Sequence, residues 1–284
     1  MRLLVAFFAI TAIILSSCQK EVDSVIDNSR TGSTASDVLL VKTVQKTASD
    51  SLVTTYSYNS AKKIINMKIV GTDQGAPKNT EYRYYRNASG IVTHYSIIDI
   101  DLIGSGIDSL IVNVHYNSSS SRYTSYVLNL NMAGFILLDS SNFVYDASGR
   151  IVGESLYESP SGSGNDYYLS GTTVYTYASG NIGQLDIHDL DQSGAETFSA
   201  STSNILYDSK INPIQTGNEG FALGHPEWAS LNNIISEKLS DSNGSVDDET
   251  VATTYTYNSG NRPATSSATE LPDNIVVTTS YFYQ

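Results

Sequence analysis

The sequence has little of three things that would each point to a particular class of protein. Its single cysteine, Cys18, excludes an intrachain disulfide. Basic residues are scarce, since 16 Lys and Arg stand against 29 Asp and Glu and give a net charge of −13. Proteins that bind nucleic acids carry a basic stripe, so no nucleic-acid partner is expected. After residue 17 no hydrophobic run is long enough for a transmembrane helix.

The N-terminal residues have the pattern of a cleaved export signal. Arg2 is followed by a nearly unbroken apolar run from Leu3 to Leu15, which has the length of a secretory signal rather than of a bilayer span. The run ends in Leu15-Ser16-Ser17-Cys18, which resembles the bacterial lipobox. This resemblance implies that residues 1–17 are a signal peptide and that Cys18 is acylated, so that a lipid anchor joins the protein to the membrane. The other interpretation is an incidental thiol in an ordinary secreted protein.

Residues 18–37 contain no aromatic residue and no strong period, which predicts a flexible polar tether. Its first residues, Gln19 to Asp23, resemble the acidic export signal of Bacteroidetes surface lipoproteins, although Val22 interrupts the acidic pair. The resemblance implies an outer-membrane, lipid-anchored protein displayed on the cell surface. A generic tether that faces the periplasm is the alternative.

The rest of the chain repeats one unit, of which Phe143–Ile151 is the clearest copy. Phe143 and Tyr145 lie on one face of a strand, Asp146 to Gly149 supply turn chemistry with Gly149 at positive φ, and a return strand begins at Arg150. Copies recur about every 26 to 32 residues, as from Tyr58 to Tyr84. Each copy therefore predicts a β-hairpin that is too small to bury its face without its neighbours.

This repetition predicts an all-β fold for residues 38–284, a single domain built as a long twisted antiparallel meander sheet of repeated hairpins. The units resemble YD (RHS-like) hairpin repeats, and the whole pattern resembles Bacteroidetes lipoproteins of unknown function that carry them. The resemblance implies an architecture and no activity. Within it, the Tyr207–Pro213 motif precedes a variable segment and an Asn-Asn pair, here Asn232 and Asn233.

Two further features of the sheet follow from the sequence. Residues 226–233 break the repeat, and Pro226, Glu227 and Trp228 predict one short helix there. A meander leaves two edge strands, of which Lys42 and Lys46 protect the first. The last strand, Tyr281–Tyr283, is aromatic and uncharged, so we expect it to be covered, either by packing against the segment around Trp228 or by pairing inward.

The aromatic rows suggest a binding surface. Tyrosines on neighbouring strands would form a ladder with hydroxyl tips, which suits stacking on a glycan or contact with a protein. The alternative role of these rings is cross-strand packing. The predicted ligand-binding residues are Tyr56, Tyr58, Tyr82, Tyr84, Tyr175, Tyr177, Tyr255 and Tyr257.

Motifs for metal binding and catalysis are weak. Asp189, Asp191 and Ser193 fit the start of an EF-hand-type loop, but Ala200 stands where the bidentate Glu belongs, and only Glu196 offers a substitute. A polar hairpin turn explains the same residues. No cofactor is expected, and no catalytic residue is predicted.

Together these patterns favour a lipoprotein of the outer membrane or cell surface that acts as a binding or scaffold module for a glycan or a protein, and not as an enzyme. Two alternatives stay open. One is a cell-envelope hydrolase whose carboxylates come from separate turns, and the other is a purely structural envelope protein.

Overall fold

The computed structural model describes residues 38–132, 135–159, 166–242 and 249–284, and these form an antiparallel β structure. The predicted signal peptide, Cys18 and the tether lie outside the described residues. The strands are β1 (Leu40–Lys46), β2 (Ser51–Tyr58), β3 (Ile64–Asp73), β4 (Ala76–Arg86), β5 (Val92–Asp99), β6 (Leu110–Asn117), β7 (Arg122–Met132), β8 (Phe135–Tyr145), β9 (Ile151–Ser159), β10 (Tyr168–Ala178), β11 (Asn181–Leu190), β12 (Glu196–Tyr207), β13 (Ile234–Asp241), β14 (Glu249–Tyr257), β15 (Pro263–Leu271) and β16 (Ile275–Tyr283).

The sheet is a closed barrel and not the open meander that the repeat predicts. Every strand pairs antiparallel with its neighbours in sequence, and β1 also pairs with β16, from Leu40 opposite Tyr283 to Lys46 opposite Thr278. The prediction of an open sheet is wrong because hairpin repeats specify only neighbouring pairs. The pairing of the first strand with the last is a long-range contact that removes both edges.

Closure also accounts for the last strand. The prediction that Tyr281–Tyr283 is covered is confirmed, since β16 lies between β15 and β1. Lys42 does not guard an edge as predicted. Its ammonium lies 4.1 Å from the centroid of the Phe282 ring on the outer face of the barrel.

The predicted hairpin turns are present at one end of the barrel, here called the turn end. Asp146 Oδ1 accepts hydrogen bonds from the backbone N–H groups of Ser148 (2.9 Å) and Arg150 (3.0 Å), and Gly149 has φ +90° as predicted. Equivalent side chains make the same pair of bonds in other turns of this end, namely Asn59, Asn87 and Asn258. A short Asx side chain thus replaces the missing ladder partners where each hairpin reverses.

Helical structure is sparse. Residues Pro226–Ala229 form a 3₁₀ helix, so the predicted helix is present but shorter than its expected range of 226–233. Two short helices were not predicted, α1 (Ile100–Gly104) between β5 and β6 and α2 (Glu219–Ala222) just before the 3₁₀ helix. Within the described ranges, no helix has the length and apolar character that would let it cross a membrane.

The connection between β12 and β13, residues 208–233, fills the interior of the barrel at the turn end, and we call it the plug. Its Ala222, Leu223 and Trp228 pack in one buried cluster with residues of β3 to β7, and its Phe221 and Ala229 pack in a second with residues of β9 to β11. A segment that contacts the same face of so many consecutive strands of a closed barrel lies inside it. The core is therefore the space between the barrel wall and the plug.

Candidate functional site

The predicted tyrosine ladder lines the interior of the barrel. Met67 pairs with Tyr56 on one side and with Tyr82 on the other, and Tyr84 pairs with Tyr95, all on the face that contacts the plug. Tyr84 and Tyr175 are buried, and the other six predicted ligand-binding tyrosines are partly buried. The structure thus brings the eight residues onto one surface, but that surface packs on the plug instead of forming an outer strip.

The second tyrosine of a unit has a repeated structural task. In five units its hydroxyl crosses to the preceding strand and donates to a backbone carbonyl, next to a point where the strand register shifts, whereas the Tyr257 hydroxyl donates to the Asp208 side chain. Arg86 takes this place on β4 and donates to the Ile64 carbonyl. The tyrosine bonds are Tyr58 to Leu40 (2.7 Å), Tyr145 to Tyr123 (2.6 Å), Tyr177 to Ile151 (2.7 Å), Tyr207 to Ile182 (2.6 Å) and Tyr283 to Pro263 (2.8 Å).

The first tyrosine of a unit reaches deeper into the core. Tyr175 packs edge-on against Phe221 of the plug, with ring centroids 4.9 Å apart, and donates to Glu154 Oε1 at 2.9 Å. Burial raises the pKa of Tyr175 well above its usual value, so this hydroxyl stays a donor at physiological pH. The hydroxyls of Tyr84 and Tyr255 are buried and find no hydrogen-bond partner among the described residues.

Glu154 is an interior carboxylate that hydroxyl groups hold in place. Tyr175, Ser141 (2.9 Å) and Tyr126 (3.5 Å) donate to it. Burial raises the pKa of Glu154, and these hydrogen bonds act in the opposite direction. Such a group is an anchor between neighbouring strands and needs no ligand for its acceptors.

An ion cluster joins the plug to the wall. Glu219 of α2 receives two bonds from Arg86, at 2.9 and 3.0 Å, and one from the Tyr123 hydroxyl at 3.2 Å. The Lys63 ammonium lies 3.6 Å from the same carboxylate. The Arg86 side chain is 4% exposed and that of Glu219 is 10% exposed, so this pair is shielded from water. Nearby, the Asn218 amide donates to the Gly149 carbonyl at 2.7 Å.

The innermost part of the plug is polar as well as aromatic. The ring of His225 stacks on that of Trp228, with centroids 3.9 Å apart, and lies edge-on to Tyr82 at 5.5 Å. Its Nδ1 is 3.0 Å from Glu227 Oε1. The Nε2 atom of His225 and the Oε2 atom of Glu227 are buried with no partner among the described residues.

The motif that begins at Tyr207 closes the base of the plug. Asp208 accepts from the backbone N–H of Asn233 (3.1 Å) and from its side-chain amide (2.9 Å), and it also accepts from the Tyr257 hydroxyl. Asn232 bonds to Asn181 through its side chain and backbone. The Asn-Asn pair thus holds together the two ends of an insertion of 26 residues from 208 to 233.

The weak metal candidates do not converge on one point. Asp191 Oδ1 accepts from the backbone of Ser193 and Ala195, and Ser193 Oγ donates to it at 2.6 Å, as in the other turns. Glu196 instead pairs with His188 at 2.7 Å, while Asp189 points into the barrel. Within the described ranges, no group of three or more His, Cys, Asp or Glu side chains is placed to hold a metal ion.

Two features of the interior escaped the sequence analysis. One is the plug, whose signal was only an irregular stretch between two tyrosine units. The other is a set of inward-facing carboxylates at the end of the barrel opposite the turn end, here called the far end. They alternate with outward residues, as is usual in a strand. The alternation sorts residues onto two faces, but it does not show which face lies inside the barrel.

None of the known protein-family models matches the chain, and no curated protein matches it either. Among solved structures, the chain is similar to a porin-like protein from Bacteroides uniformis ATCC 8492, with 13% identity and a TM-score of 0.51 over 87% of this chain and 96% of that one. It is also similar to a porin-like protein from Bacteroides vulgatus ATCC 8482, with 12% identity and a TM-score of 0.50 over 87% of this chain and 99% of that one. At these identities the likeness concerns the fold alone: the chain has a closed, porin-like β-barrel.

Proposed function

We propose that the chain is a lipoprotein of the outer membrane, displayed at the cell surface or facing the periplasm, whose barrel stands in water and acts as a binding or scaffold module. The lipid would be carried by Cys18 after removal of residues 1–17. The tether of residues 18–37 would then separate the membrane from the barrel, and its acidic first residues favour surface display. The likeness of the units to YD repeats of Bacteroidetes lipoproteins agrees with this assignment.

The observation that carries the proposal is the polarity of the outer face of the barrel. Because side chains alternate along a strand, residues next to the inward tyrosines point outward, as Thr254 and Thr256 do beside Tyr255. A barrel wall in lipid presents an apolar band about 25 Å tall. Here the outward positions of β12 to β16 include Lys238 and four exposed apolar side chains, Leu206, Leu271, Val276 and Phe282, but most of them bear hydroxyl groups. The hydroxyl-bearing positions are Ser199, Ser201, Ser203, Ser236, Ser240, Thr250, Thr254, Thr256, Thr265, Ser267, Thr269, Thr278 and Ser280.

The outer face of the first strands supports the same interpretation. Lys68 of β3 pairs with Glu81 of β4, and Arg83 forms a bidentate pair with Glu81 at 2.9 Å for both bonds. Exposed apolar side chains, such as Val70 of β3 and Val174 of β10, are scattered over the outer face of the barrel. Charged pairs of this kind are costly inside a bilayer and ordinary in water. We therefore infer that the lipid anchor on Cys18, and not the barrel wall, contacts the membrane.

The interior favours binding or scaffolding over passage of solutes. At the turn end the plug fills the barrel, and ion pairs and hydrogen bonds hold it to the wall. A protein made in this way offers its rims, its outer face and the far half of its interior for contact. The ladder tyrosines would then serve mainly to fix the plug, and a ligand would contact only their partly exposed members.

A hydrolase remains the second candidate because of one residue pair. Asp139 and Glu158 are directly opposite each other on β8 and β9, and burial together with Glu158 raises the pKa of Asp139 to about 7. A carboxyl group with a raised pKa beside a second carboxyl group is the usual arrangement of the acid and base in glycoside hydrolysis. We favour binding because Asp139 is 3% exposed, whereas a catalytic acid must reach the glycosidic oxygen of a bulky polysaccharide. Release of reducing sugar from envelope polysaccharides, lost in Glu158→Gln, would favour the enzyme.

Membrane fractionation tests the anchor. Cys18→Ala should abolish labelling with palmitate and partition into detergent, whereas Ser17→Ala should retain both, since small residues suit the position before the cysteine. Membrane association and labelling that persist in Cys18→Ala would contradict the lipoprotein assignment.

A second experiment tests the wall. The chain that begins at Gln19 should be monodisperse in buffer without detergent and should give no conductance in planar bilayers, because its outer face is polar. A requirement for detergent, or channels in the bilayer, would show that the wall enters lipid.

A further inference from the structure

A belt of six carboxylates lines the interior near the far end of the barrel, and we call it the acidic belt. Its members are Asp139, Glu158, Asp189, Glu237, Glu249 and Glu270, on β8, β9, β11, β13, β14 and β15. Their inward orientation follows from the strand register. Asp139 pairs with Leu128, which packs on the core, and Glu237 and Glu270 both pair with the buried Val251.

Basic side chains of the described residues do not neutralise the belt. In the parts of the chain that the structure describes, none of the six carboxylates forms an ion pair with a Lys, Arg or His. Glu158 accepts one hydrogen bond, from the Tyr168 hydroxyl at 2.8 Å. Like charges directly across a strand pair, as in Asp139 and Glu158, oppose folding.

Burial and the uncompensated charge raise the pKa of carboxyl groups at both ends of the belt. Burial, and then the neighbouring Glu158, raise the pKa of Asp139 to about 7 and also raise that of Asp189. Burial, and then Glu249, raise the pKa of Glu237 to about 7 and also raise that of Glu270. The belt therefore consists of two coupled groups, one centred on Glu158 and the other on Glu249.

Asp139 adds an independent sign that a partner is missing. The residue is 3% exposed, it points into the belt, and its Oδ1 atom has no hydrogen-bond partner among the described residues. Native proteins avoid a buried acceptor in this state unless a ligand or ordered water supplies the donor. A carboxylate at this position thus lacks the donor that its burial requires.

Asp99, on the opposite wall of the barrel, shows how a carboxylate at this end is neutralised. It lies at the same end of the barrel on β5, accepts from the Lys78 ammonium at 3.0 Å and the Asp101 backbone at 2.9 Å, and also accepts from the Thr80 hydroxyl. Burial opposes its ionisation, but these partners hold the pKa of Asp99 below its usual value. Asp99 thus has a basic partner in the wall, whereas among the described residues no member of the belt has one.

The distribution of the carboxylates over six strands favours one kind of cation. A compact metal site needs several ligands around one point, and within the described ranges no three such side chains meet that condition. The six groups instead follow the wall over strands β8 to β15. Positive charges that match them must be spread along an extended molecule.

We propose that the acidic belt binds a linear polycation, in which several ammonium groups are spaced along a flexible chain that enters from the far end. Free polyamines and lysine-rich peptide segments share this chemistry. The partly buried members Glu158, Asp189, Glu249 and Glu270 would contact the ligand. An ammonium group bound at Glu158 would also donate to the unpartnered Oδ1 of Asp139 directly across the strand pair, and Glu237 would strengthen the field behind the contacting residues. This inference rests on the binding role proposed above and gives it a ligand class.

Calorimetric titration of the purified full chain with spermine, tetralysine and CaCl₂ at equal ionic strength tests the proposal. We expect spermine or tetralysine to bind at a defined stoichiometry. The double substitution Glu158→Gln with Asp189→Asn should weaken that binding by at least about tenfold. The control Glu81→Gln with Asp186→Asn makes the same change in charge on outward residues and should leave binding unchanged. Thermal melting checks that both variants fold.

The comparison of titrants separates the outcomes. Binding of spermine alone supports a free polyamine, and binding of tetralysine as well supports a peptide ligand. The proposal is overturned if neither polycation binds, if Ca²⁺ binds as tightly as spermine does, or if the inward and outward variants lose affinity equally. Failure of this experiment leaves the palmitate labelling of Cys18 unaffected, so it is distinguishable from failure of the proposed anchor.

Discussion

At the scale of single residues, the barrel depends on small devices that repeat at the turn end. Asx side chains cap the reversals, residues with positive φ complete them, and tyrosine hydroxyls bridge to the preceding strand. Each device satisfies backbone groups that the ladder cannot pair, and unpaired buried groups cost about 1–3 kcal/mol each.

Gly149 tests the turn. Because its φ is +90° and an added Cβ would lie 3.2 Å from the Arg122 guanidinium, Gly149→Val should lower the free energy of unfolding by about 1–2 kcal/mol. Ser148→Ala removes only an exposed bond to Asp146 and should be nearly neutral. Equal midpoints of the two variants in urea denaturation would contradict this assignment.

Tyr58 tests the bridging hydroxyls. Tyr58→Phe keeps the ring but removes the 2.7 Å bond to the Leu40 carbonyl, so the free energy of unfolding should fall by about 1 kcal/mol. Tyr85→Phe is the matched control, since Tyr85 points outward and is 43% exposed. Urea denaturation of both variants measures the difference, and a larger loss in the control would refute the role of the hydroxyl.

At the scale of elements, the plug determines how the interior is filled. Its α2 and 3₁₀ helices are each only four residues long, too short to be stable alone, so contacts with the wall must hold them. The buried pair of Arg86 and Glu219 is the main polar contact, and Phe221 and Trp228 supply the apolar one.

Glu219→Ala should therefore loosen the plug and destabilise the protein. It leaves the Arg86 guanidinium buried beside carbonyl groups but without its carboxylate, and the expected loss is about 3 kcal/mol. Glu81→Ala, which breaks the outward pair with Arg83, should cost less than about 1 kcal/mol. Limited proteolysis should cut residues 208–233 faster in Glu219→Ala than in the control, and equal rates would show that the ion pair does not hold the plug.

At the scale of the whole molecule, closure of the barrel and the interior charge dominate. Deletion of Ser280 to Gln284 removes most of the pairing between β16 and β1 and exposes their ladder groups. We expect this variant to aggregate, because a free edge pairs with other chains. Light scattering measures the aggregation. A truncated protein that stays monomeric would show that the remaining residue pairs between β1 and β16 are sufficient for closure.

The acidic belt makes stability depend on pH. The pKa values of Asp139 and Glu237 are raised to about 7 in the folded chain, above their values in the unfolded chain. The folded state binds more protons, so stability is greatest below the unfolded pKa values and falls as the pH rises toward 7 and above. The melting temperature should fall between pH 5 and pH 8 by about 5 °C or more.

Asp139→Asn combined with Glu237→Gln should flatten this dependence and raise the melting temperature at pH 8. The same change in charge outside the barrel, in Glu81→Gln with Asp186→Asn, should leave the slope intact. Burial raises the pKa of Asp146, but hydrogen bonds from Ser148 and Arg150 lower it further, and the net pKa lies below the usual value. Such carboxyl groups change the stability only at more acidic pH. Identical slopes in the two double variants would mean that other groups cause the dependence.

The local features of this fold can be predicted from short stretches of sequence. Strand period, Asx turns and the Gly149 conformation follow from neighbouring residues, which is why the hairpins and the positive φ were predicted correctly. The same local rules identified the irregular stretch around Trp228, although a 3₁₀ helix formed in place of the longer one expected. They also placed the eight ladder tyrosines on one face.

The direction in which that face points and the closure of the sheet depend on long-range contacts. The pairing of Leu40 with Tyr283 joins residues at opposite ends of the described chain, and no local pattern encodes such a contact. Once the barrel closes with the plug inside, the tyrosines become interior packing and the alternate carboxylates form the acidic belt. Register fixes the sets of residues that share a face, but the side that excludes water depends on closure, and closure is a property of all the strands together.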